Sequence, residues 1–366
     1  MQTGGLFMRN DELETPYQIM DPAGKLLGNI PEGLSNQKLL EWYRLMWEIR
    51  GFSNKTVALQ RQGRSTTWGP LNGQEATAIG MGAVLQPQDW LVGSYRDTGA
   101  YITKGYPMAA LFYYTRGFSI APELIGPDRN CLPYQIVLAT QTLHGVGIAM
   151  ASRIKKENAV TMIGVGDGAS SEGDFNEALN FAGVFKAPAV IVLVNNGWAI
   201  STPRSHQSAA RYLMDRAVGF GMPGILVDGN DVLACYSVMK EAVERARHGE
   251  GPTLIEAITY RHGAHTTADD PTRYRDAKEV EYWMHRDPTL RLKNYLIEQG
   301  VWSEEKDKQL LEDVEKYVNE QADIAYNHPT PGPDGMFNNV FEKLTPRMLK
   351  QREELRRELN LEAEVK

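Results

Sequence analysis

Apolar residues first fall into a helical rhythm after Ser35. Leu39, Tyr43, Met46 and Trp47 recur at i, i+4, i+7 and i+8 and share one face up to about Gly63. Core packing accounts for these aromatics. In the centre of the chain the rhythm changes. Residues 159–165 form a short run rich in apolar and β-branched residues and ending in glycines, and 189–194 form a second run with no polar position. Between them, 172–185 returns to helical spacing at Phe175, Leu179 and Ala182. Two further strand runs, 225–227 and 253–258, flank a helical stretch at 232–247. Largely apolar strands spaced by helices predict an α/β fold, a parallel sheet with helices on both faces.

Beyond about residue 276 the pattern is helical and charged, at 278–285, 290–299, 303–325 and 344–361. Ser303 opens one of these segments as an N-cap before an acidic first turn. A proline-rich break at 328–333 sets off the last piece. Residues 1–34, rich in Gly, Pro, Asp and Glu, read as an irregular N-terminal arm. The predicted organisation is therefore an arm at 1–34, an α/β domain at 35–275 and a mainly helical C-terminal region at 276–366. No internal repeat and no low-complexity tract interrupts it.

Composition narrows the class. An apolar fraction of 42% and a charged fraction of 23% in 366 residues are those of an ordinary globular protein with a large core. The net charge is −7 and no run of five or six Lys/Arg occurs, which argues against nucleic acid as a partner. The longest strongly apolar stretch, 187–194, is too short to cross a bilayer, and the first ten residues lack a signal-peptide pattern. Cys131 and Cys235 have no CxxC or Cys/His spacing, so a disulfide scaffold or thiolate zinc site is not expected. A reducing, cytoplasmic setting is.

The chemistry concentrates in Gly164-Val165-Gly166-Asp167-Gly168-Ala169, after a strand and before a helix. It fits the GxGxxA turn of dinucleotide-binding folds. That reading needs an acid at the end of the next strand for the ribose hydroxyls, yet no Asp or Glu occurs in 178–214, and the strand ends in Asn195-Asn196. A second ligand suits the turn better. Asp167 and Asn196 sit at the C-terminal ends of successive parallel strands, where such sheets face their ligand crevice. Carboxylate, amide and main-chain carbonyl oxygens are hard donors for Mg²⁺, which commonly keeps phosphate oxygens as further ligands. Glycines at 166 and 168 let backbone approach a diphosphate, and the following helix N-terminus favours its charge.

The spacing Gly-Asp-Gly, 26 residues, Asn-Asn resembles the signature of thiamine diphosphate enzymes. Further blocks, in one order over roughly 35–330, resemble the α subunit of the decarboxylating component of pyruvate and branched-chain 2-oxo acid dehydrogenases. They are Gly73-Gln74-Glu75-Ala76, Tyr95-Arg96-Asp97, the turn at 166–174, the run 195–203, Val227-Asp228-Gly229 and the run 260–266. Such an ordered set is far more specific than any single motif.

The resemblance implies a thiamine diphosphate-binding fold, with Asp167, Asn196 and the Trp198 main-chain carbonyl as Mg²⁺ ligands. It implies that Gly168 and Ala169 offer amides to the diphosphate, that Tyr95 and Arg96 clamp it, and that Arg261 adds a second cation. Ile136 and Leu138 are implied cofactor contacts, Leu138 as the apolar prop that keeps the cofactor bent, although ordinary core packing also explains a leucine there. His265, in the loop-like stretch 263–270, is the implied catalytic and cofactor-contacting histidine that aids acyl transfer, in preference to His262. Thr266 stands where animal relatives carry a phosphoserine; no phosphorylation is inferred. Two departures fall at the substrate end: Thr98 replaces a usual His, and Thr67, beside Trp68, replaces an aromatic.

The activity implied by the resemblance is decarboxylation of a 2-oxo acid and transfer of the acyl group to a lipoyl arm. In the family the chain resembles, a glutamate from a second module polarises the cofactor's aminopyrimidine. Only one diphosphate-binding module is found here and no second α/β set follows residue 276, so the resemblance implies a β subunit that contributes this glutamate in an α₂β₂ heterotetramer. The larger assembly would add a lipoyl-bearing dihydrolipoamide acyltransferase core and dihydrolipoamide dehydrogenase. The stretch Cys131-Leu132-Pro133-Tyr134-Gln135-Ile136 favours pyruvate as substrate, with branched-chain 2-oxo acids and acetoin as alternatives. A nicotinamide oxidoreductase and a cofactor-free structural subunit stand as more distant readings.

Overall fold

The computed structural model describes residues 15–118, 124, 129–330, 332–338 and 340–364. Residues 1–14 of the expected arm and Pro331 of the proline-rich break lie outside the described residues. The strands are β1 (Trp90–Val92), β2 (Thr161–Gly166), β3 (Ala189–Asn195), β4 (Trp198–Ala199), β5 (Thr202–Pro203), β6 (Gly224–Asp228) and β7 (Thr253–Ile258). Five of them form a parallel sheet in the order β1-β2-β3-β7-β6, while β4 and β5 pair as a small antiparallel ribbon. Among the described residues no strand follows Ile258.

The unbroken apolar run of β3 is explained by burial on both faces. Val190, Val192 and Val194 point into one core, with Met239, Val243 and Ile79, whereas Ala189, Ile191 and Leu193 point into a second, with Phe175, Leu179 and Val146. This is the two-residue period of a strand read out against helices on either side. Helices Thr140–Lys155 and Gly173–Val184 cover one face. Helices Glu75–Ala83 and Val232–Arg247 cover the other.

The long first helix runs Asn36–Arg61, capped by Ser35 Oγ, which accepts from the Lys38 amide at 3.2 Å. Leu39, Tyr43 and Met46 on its apolar face are buried as expected and Trp47 is half-buried, with Tyr43 Oη donating to Asp307 at 2.6 Å. The C-terminal helices are Ala277–Met284, Pro288–Glu298, Glu304–Asn327 and Pro346–Glu364. Glu304–Asn327 starts at the anticipated Ser303 cap and packs against the first helix and against Met108–Thr115. The described part of the arm is irregular apart from single bridges. Tyr17 pairs with Val227 on β6, and the Ile19 and Met20 amides donate to the Asp231 carboxylate at 2.7 and 2.6 Å. Among the described residues no helix is long and apolar enough to cross a membrane.

Candidate active site

Register brings the two informative turns together. Gly166 pairs with Val194, so the tips of β2 and β3 lie side by side, and they open into a cavity of about 170 Å³. Asp167, Gly168 and Ala169 border it from the turn after β2, and Asn196 and Trp198 from the turn after β3. Tyr95 and Arg96 reach it from beyond β1, Leu138 from the segment before helix Thr140–Lys155, and His265 from the loop after β7. A wider apolar cavity of about 620 Å³ adjoins it, sharing Tyr95, Leu138 and His265 and adding Ile136. Arg261 borders neither, standing fully buried behind His265. Leu138 is 45% exposed, so it is a wall of the cavities and not a core residue.

The turn after β2 departs from expectation in one respect. A short 3-10 turn, Gly168–Ser171, intervenes before the α-helix begins at Gly173, so the amides at the strand tip belong to this tight turn. Glycine is required here for close approach. A Cβ on Gly168 would lie 2.7 Å from that of Ala199, whereas one on Gly166 would meet nothing within 4 Å and would project into the cavity.

The Asp167 side chain accepts from Gln207 Nε2 at 3.2 Å, and the residue is 2% exposed. Among the described residues no Lys or Arg lies within ion-pair distance of it. Burial pushes its carboxyl pKa up, against hydrogen bonds that favour the charge. Asn196 Oδ1 accepts from the Trp198 amide at 3.2 Å, which closes the turn and keeps one amide lone pair in use and one available. The Trp198 ring lies 5.3 Å from that of Tyr274, and its Nε1 donates to Glu279 at 3.0 Å.

Around His265 and its loop stand Arg96, Arg261 and Arg275, all buried, none within ion-pair reach of a carboxylate among the described residues. Their hydrogens go to neutral groups. Arg96 donates to the Pro70 carbonyl and, at 2.9 Å, to the His265 carbonyl. Arg261 donates to Ile200 O at 2.9 Å and Tyr274 Oη at 3.0 Å, and its Nε has no partner. Arg275 holds the carbonyls of Arg261 and Gly263 at 2.6 and 2.8 Å. Burial, then Arg275 and Arg96, lower the Arg261 pKa to about 10, so it stays charged at neutral pH. Buried cations without acids are costly unless an anion joins them.

His265 is set by these arginines. Its Nδ1 lies 3.0 Å from Arg261 Nη1 and 3.3 Å from Arg96 Nη2. Guanidinium nitrogens only donate, so Nδ1 accepts and the ring proton sits on Nε2. Burial, followed by Arg96 and Arg261, depresses its pKa to about 4. The unfolded chain protonates this histidine near its ordinary value, so its contribution to stability is complete above about pH 6.5 and is lost as pH falls toward 4. Melting curves should therefore drop more steeply between pH 6.5 and 4.5 for the parent than for His265→Gln. Parallel curves would rule out the neutral ring.

His262 is turned away, its Nδ1 3.4 Å from Asp287 and its ring against Gly73. Thr98 is fully buried and borders neither cavity, whereas Thr67 and Trp68 both border the wider one. Among further residues lining the cavity, Gln141 carried no sequence signal, whereas Gln74 and Ile200 fall within the blocks at 73–76 and 195–203 without an assigned role. Gln74 and Gln141 both line the cavity, and Gln74 Nε2 and Gln141 Oε1 are buried without a partner. Ile200 lines it with φ 56°, a strained value for a β-branched residue. Gln207 borders neither cavity but touches Asp167 from a short helix, Arg204–Gln207, 40 residues along the chain, and it too carried no sequence signal.

The donor set fits a small hard cation bound together with a diphosphate. Among the described residues no cluster of three or more His, Cys, Asp or Glu side chains stands ready for a metal, so a cation here must rely on one carboxylate, neutral oxygens and the ligand's own phosphates. The open cradle at Gly166 and the unpaired arginines suit the anion.

Comparison with known proteins identifies the family. The family model described as dehydrogenase E1 component matches residues 43–334. The chain is 44% identical over 351 residues to the 3-methyl-2-oxobutanoate dehydrogenase subunit alpha of Mycobacterium tuberculosis, covering 94% of each. It is 42% identical over 343 residues to the pyruvate dehydrogenase E1 component subunit alpha of Acholeplasma laidlawii, covering 91% of this chain and 97% of that one. The Staphylococcus aureus protein of the latter name is 38% identical over 342 residues, covering 92% and 91%. This chain belongs to the dehydrogenase E1 component family, as an α subunit of the 2-oxo acid dehydrogenase kind.

Proposed function

We propose that this α subunit binds thiamine diphosphate through Mg²⁺ and decarboxylates a 2-oxo acid, pyruvate in the first instance, passing the acyl group to a lipoyl arm. The observation that carries the reading is a buried carboxylate, Asp167, and Asn196 on neighbouring strand tips, facing one cavity beside arginines that have no acid of their own. Asp167, Asn196 and the Trp198 carbonyl hold the cation. Gly168, Ala169, Tyr95 and Arg96 hold the diphosphate, Arg261 adds its charge as a second cation from behind His265, and Ile136 and Leu138 form the apolar wall against which the rest of the cofactor rests. The cofactor, when bound, supplies the carbanion chemistry that lets CO₂ leave. His265 keeps its proton on Nε2, its Nδ1 being occupied by arginines, and aids acyl transfer by presenting that N–H as a hydrogen-bond donor near the acyl group.

A β subunit completes the site in an α₂β₂ heterotetramer, and an acyltransferase core and dihydrolipoamide dehydrogenase complete the assembly. A cytoplasmic setting suits the two free cysteines. A second substrate reading has its own support. The apolar cavity of about 620 Å³ beside His265 has room for a branched acyl chain, and the Mycobacterium tuberculosis relative is named for 3-methyl-2-oxobutanoate.

Calorimetry on the co-purified α/β pair tests the cofactor. Thiamine diphosphate should bind only with Mg²⁺, and NADH should not bind; the opposite pattern would reinstate the nicotinamide reading. Steady-state assay should give a kcat/KM for pyruvate at least about tenfold above that for 3-methyl-2-oxobutanoate, a difference of about 1.4 kcal/mol. The reverse order would install the branched-chain substrate.

A further inference from the structure

Gln207 touches Asp167 from an element that no motif points to. Its Nε2 carries two hydrogens, and both are used, one toward Asp167 Oδ2 at 3.2 Å and one toward the Thr202 carbonyl at 3.1 Å. That fixes the amide's orientation, because the flipped form would set Oε1 against a carboxylate and a carbonyl. Thr202 belongs to β5, whose partner β4 begins at Trp198. One side chain thus ties the tip of β2 to the ribbon that follows β3. The platform under it is rigid. The Arg204 amide donates to Gly197 O at 2.9 Å, and the Arg204 guanidinium donates to the carbonyls of Ser208 and Ala210 at 2.8 and 2.5 Å.

We infer that Gln207 is a positioning residue that orients the Asp167 carboxylate toward its cation and couples it to the ribbon carrying Trp198. The inference rests on the cofactor reading above. A neutral donor is the suitable group for this task. An amide hydrogen fixes one carboxylate oxygen and leaves the negative charge intact, whereas a Lys or Arg in its place would neutralise the acid that the cation needs. Gln207 Oε1 is itself buried without a partner, 3.8 Å from where a Cβ on Gly168 would stand. An amide that served packing alone would more commonly have both ends satisfied.

The test uses the co-purified α/β pair with thiamine diphosphate and Mn²⁺ as a paramagnetic stand-in for Mg²⁺. Free and bound Mn²⁺ are separated by electron paramagnetic resonance, and melting is followed in metal-free protein. Gln207→Met keeps the length and loses the donor. It should raise the Mn²⁺ dissociation constant by about tenfold or more, the usual cost of removing a partner that orients a metal ligand, with little change in metal-free melting. Gln207→Lys still reaches Asp167 but brings a charge, so it should bind Mn²⁺ more weakly than Gln207→Met. Should the methionine variant fail to fold, the lysine variant compared with the parent carries the test.

A merely structural glutamine predicts the reverse pattern, lower melting temperatures with Mn²⁺ affinity unchanged, and that result would overturn the inference. So would a lysine variant that binds Mn²⁺ as the parent does. A parent pair that takes up neither Mn²⁺ nor thiamine diphosphate would instead remove the cofactor reading, and this inference with it.

Discussion

Asp167→Asn is expected to weaken metal-dependent thiamine diphosphate binding by more than about 100-fold, beyond the loss typical of residues that only support a ligand. The metal-free protein should melt no lower than the parent. Both expectations come from one feature. Asp167 is 2% exposed and no Lys or Arg among the described residues pairs with it, so burial pushes its carboxyl pKa up against hydrogen bonds and the more distant charge of Arg261. Asparagine has the same shape, removes the charge and keeps an oxygen for the Gln207 amide. Functional sites commonly carry such locally unfavourable groups, and neutralising them tends to stabilise the empty protein while disabling it. Calorimetry with and without Mg²⁺ and a melting curve on the metal-free α/β pair read the two halves separately. An Asp167→Asn pair that binds the cofactor with parental affinity would exclude Asp167 from the cation site. A large drop in metal-free melting would mean that the carboxylate is structural.

The α/β core was legible because β3 is apolar at every position up to its closing Asn195, which only a strand covered on both faces sustains. The turns after β2 and β3 were legible because glycine, carboxylate and amide are unusual side by side at strand ends. Helix Glu75–Ala83 left no amphipathic trace, since it is buried on nearly all sides and built from small residues. Cβ atoms on its Gly80 and Gly82 would come within 2.9 Å of Cys235 and 2.5 Å of Thr103, a closeness that hydrophobic periodicity cannot encode. Strand β1 is only three residues long and too brief for any period. Tertiary pairings were likewise hidden. Nothing in the order of residues says that Gln207 meets Asp167, or that Arg96 and Arg261 converge on one nitrogen of His265.

Arg261→Met is expected to weaken cofactor binding by about 100-fold and to loosen two loops at once. The guanidinium donates to His265 Nδ1 at 3.0 Å, to Ile200 O at 2.9 Å and to Tyr274 Oη at 3.0 Å. Hydrogen bonds to a charged group contribute about 1.5–3 kcal/mol each, so losing two that hold the site together corresponds, at the lower end of that range, to about two powers of ten. Ile200 shows why the effect spreads. At φ 56° a β-branched residue carries about 1–3 kcal/mol of strain, which persists only while its surroundings hold it. The Arg261 bond to its carbonyl is such a hold, and methionine cannot replace it. Removing the cation also removes one cause of the low His265 pKa, so the ring should take up its proton at a pH above the value of about 4 found in the parent. Hydrogen exchange should accelerate at 198–203 and at 263–270, and histidine-selective NMR should record the upward shift. Arg261→Lys should fall between parent and methionine in affinity, because an ammonium keeps the charge but lacks the fork that serves two loops. Parental affinity in Arg261→Met would separate this arginine from the cofactor, whatever its loops do. Faster exchange without that loss would leave it as a brace for the His265 loop alone.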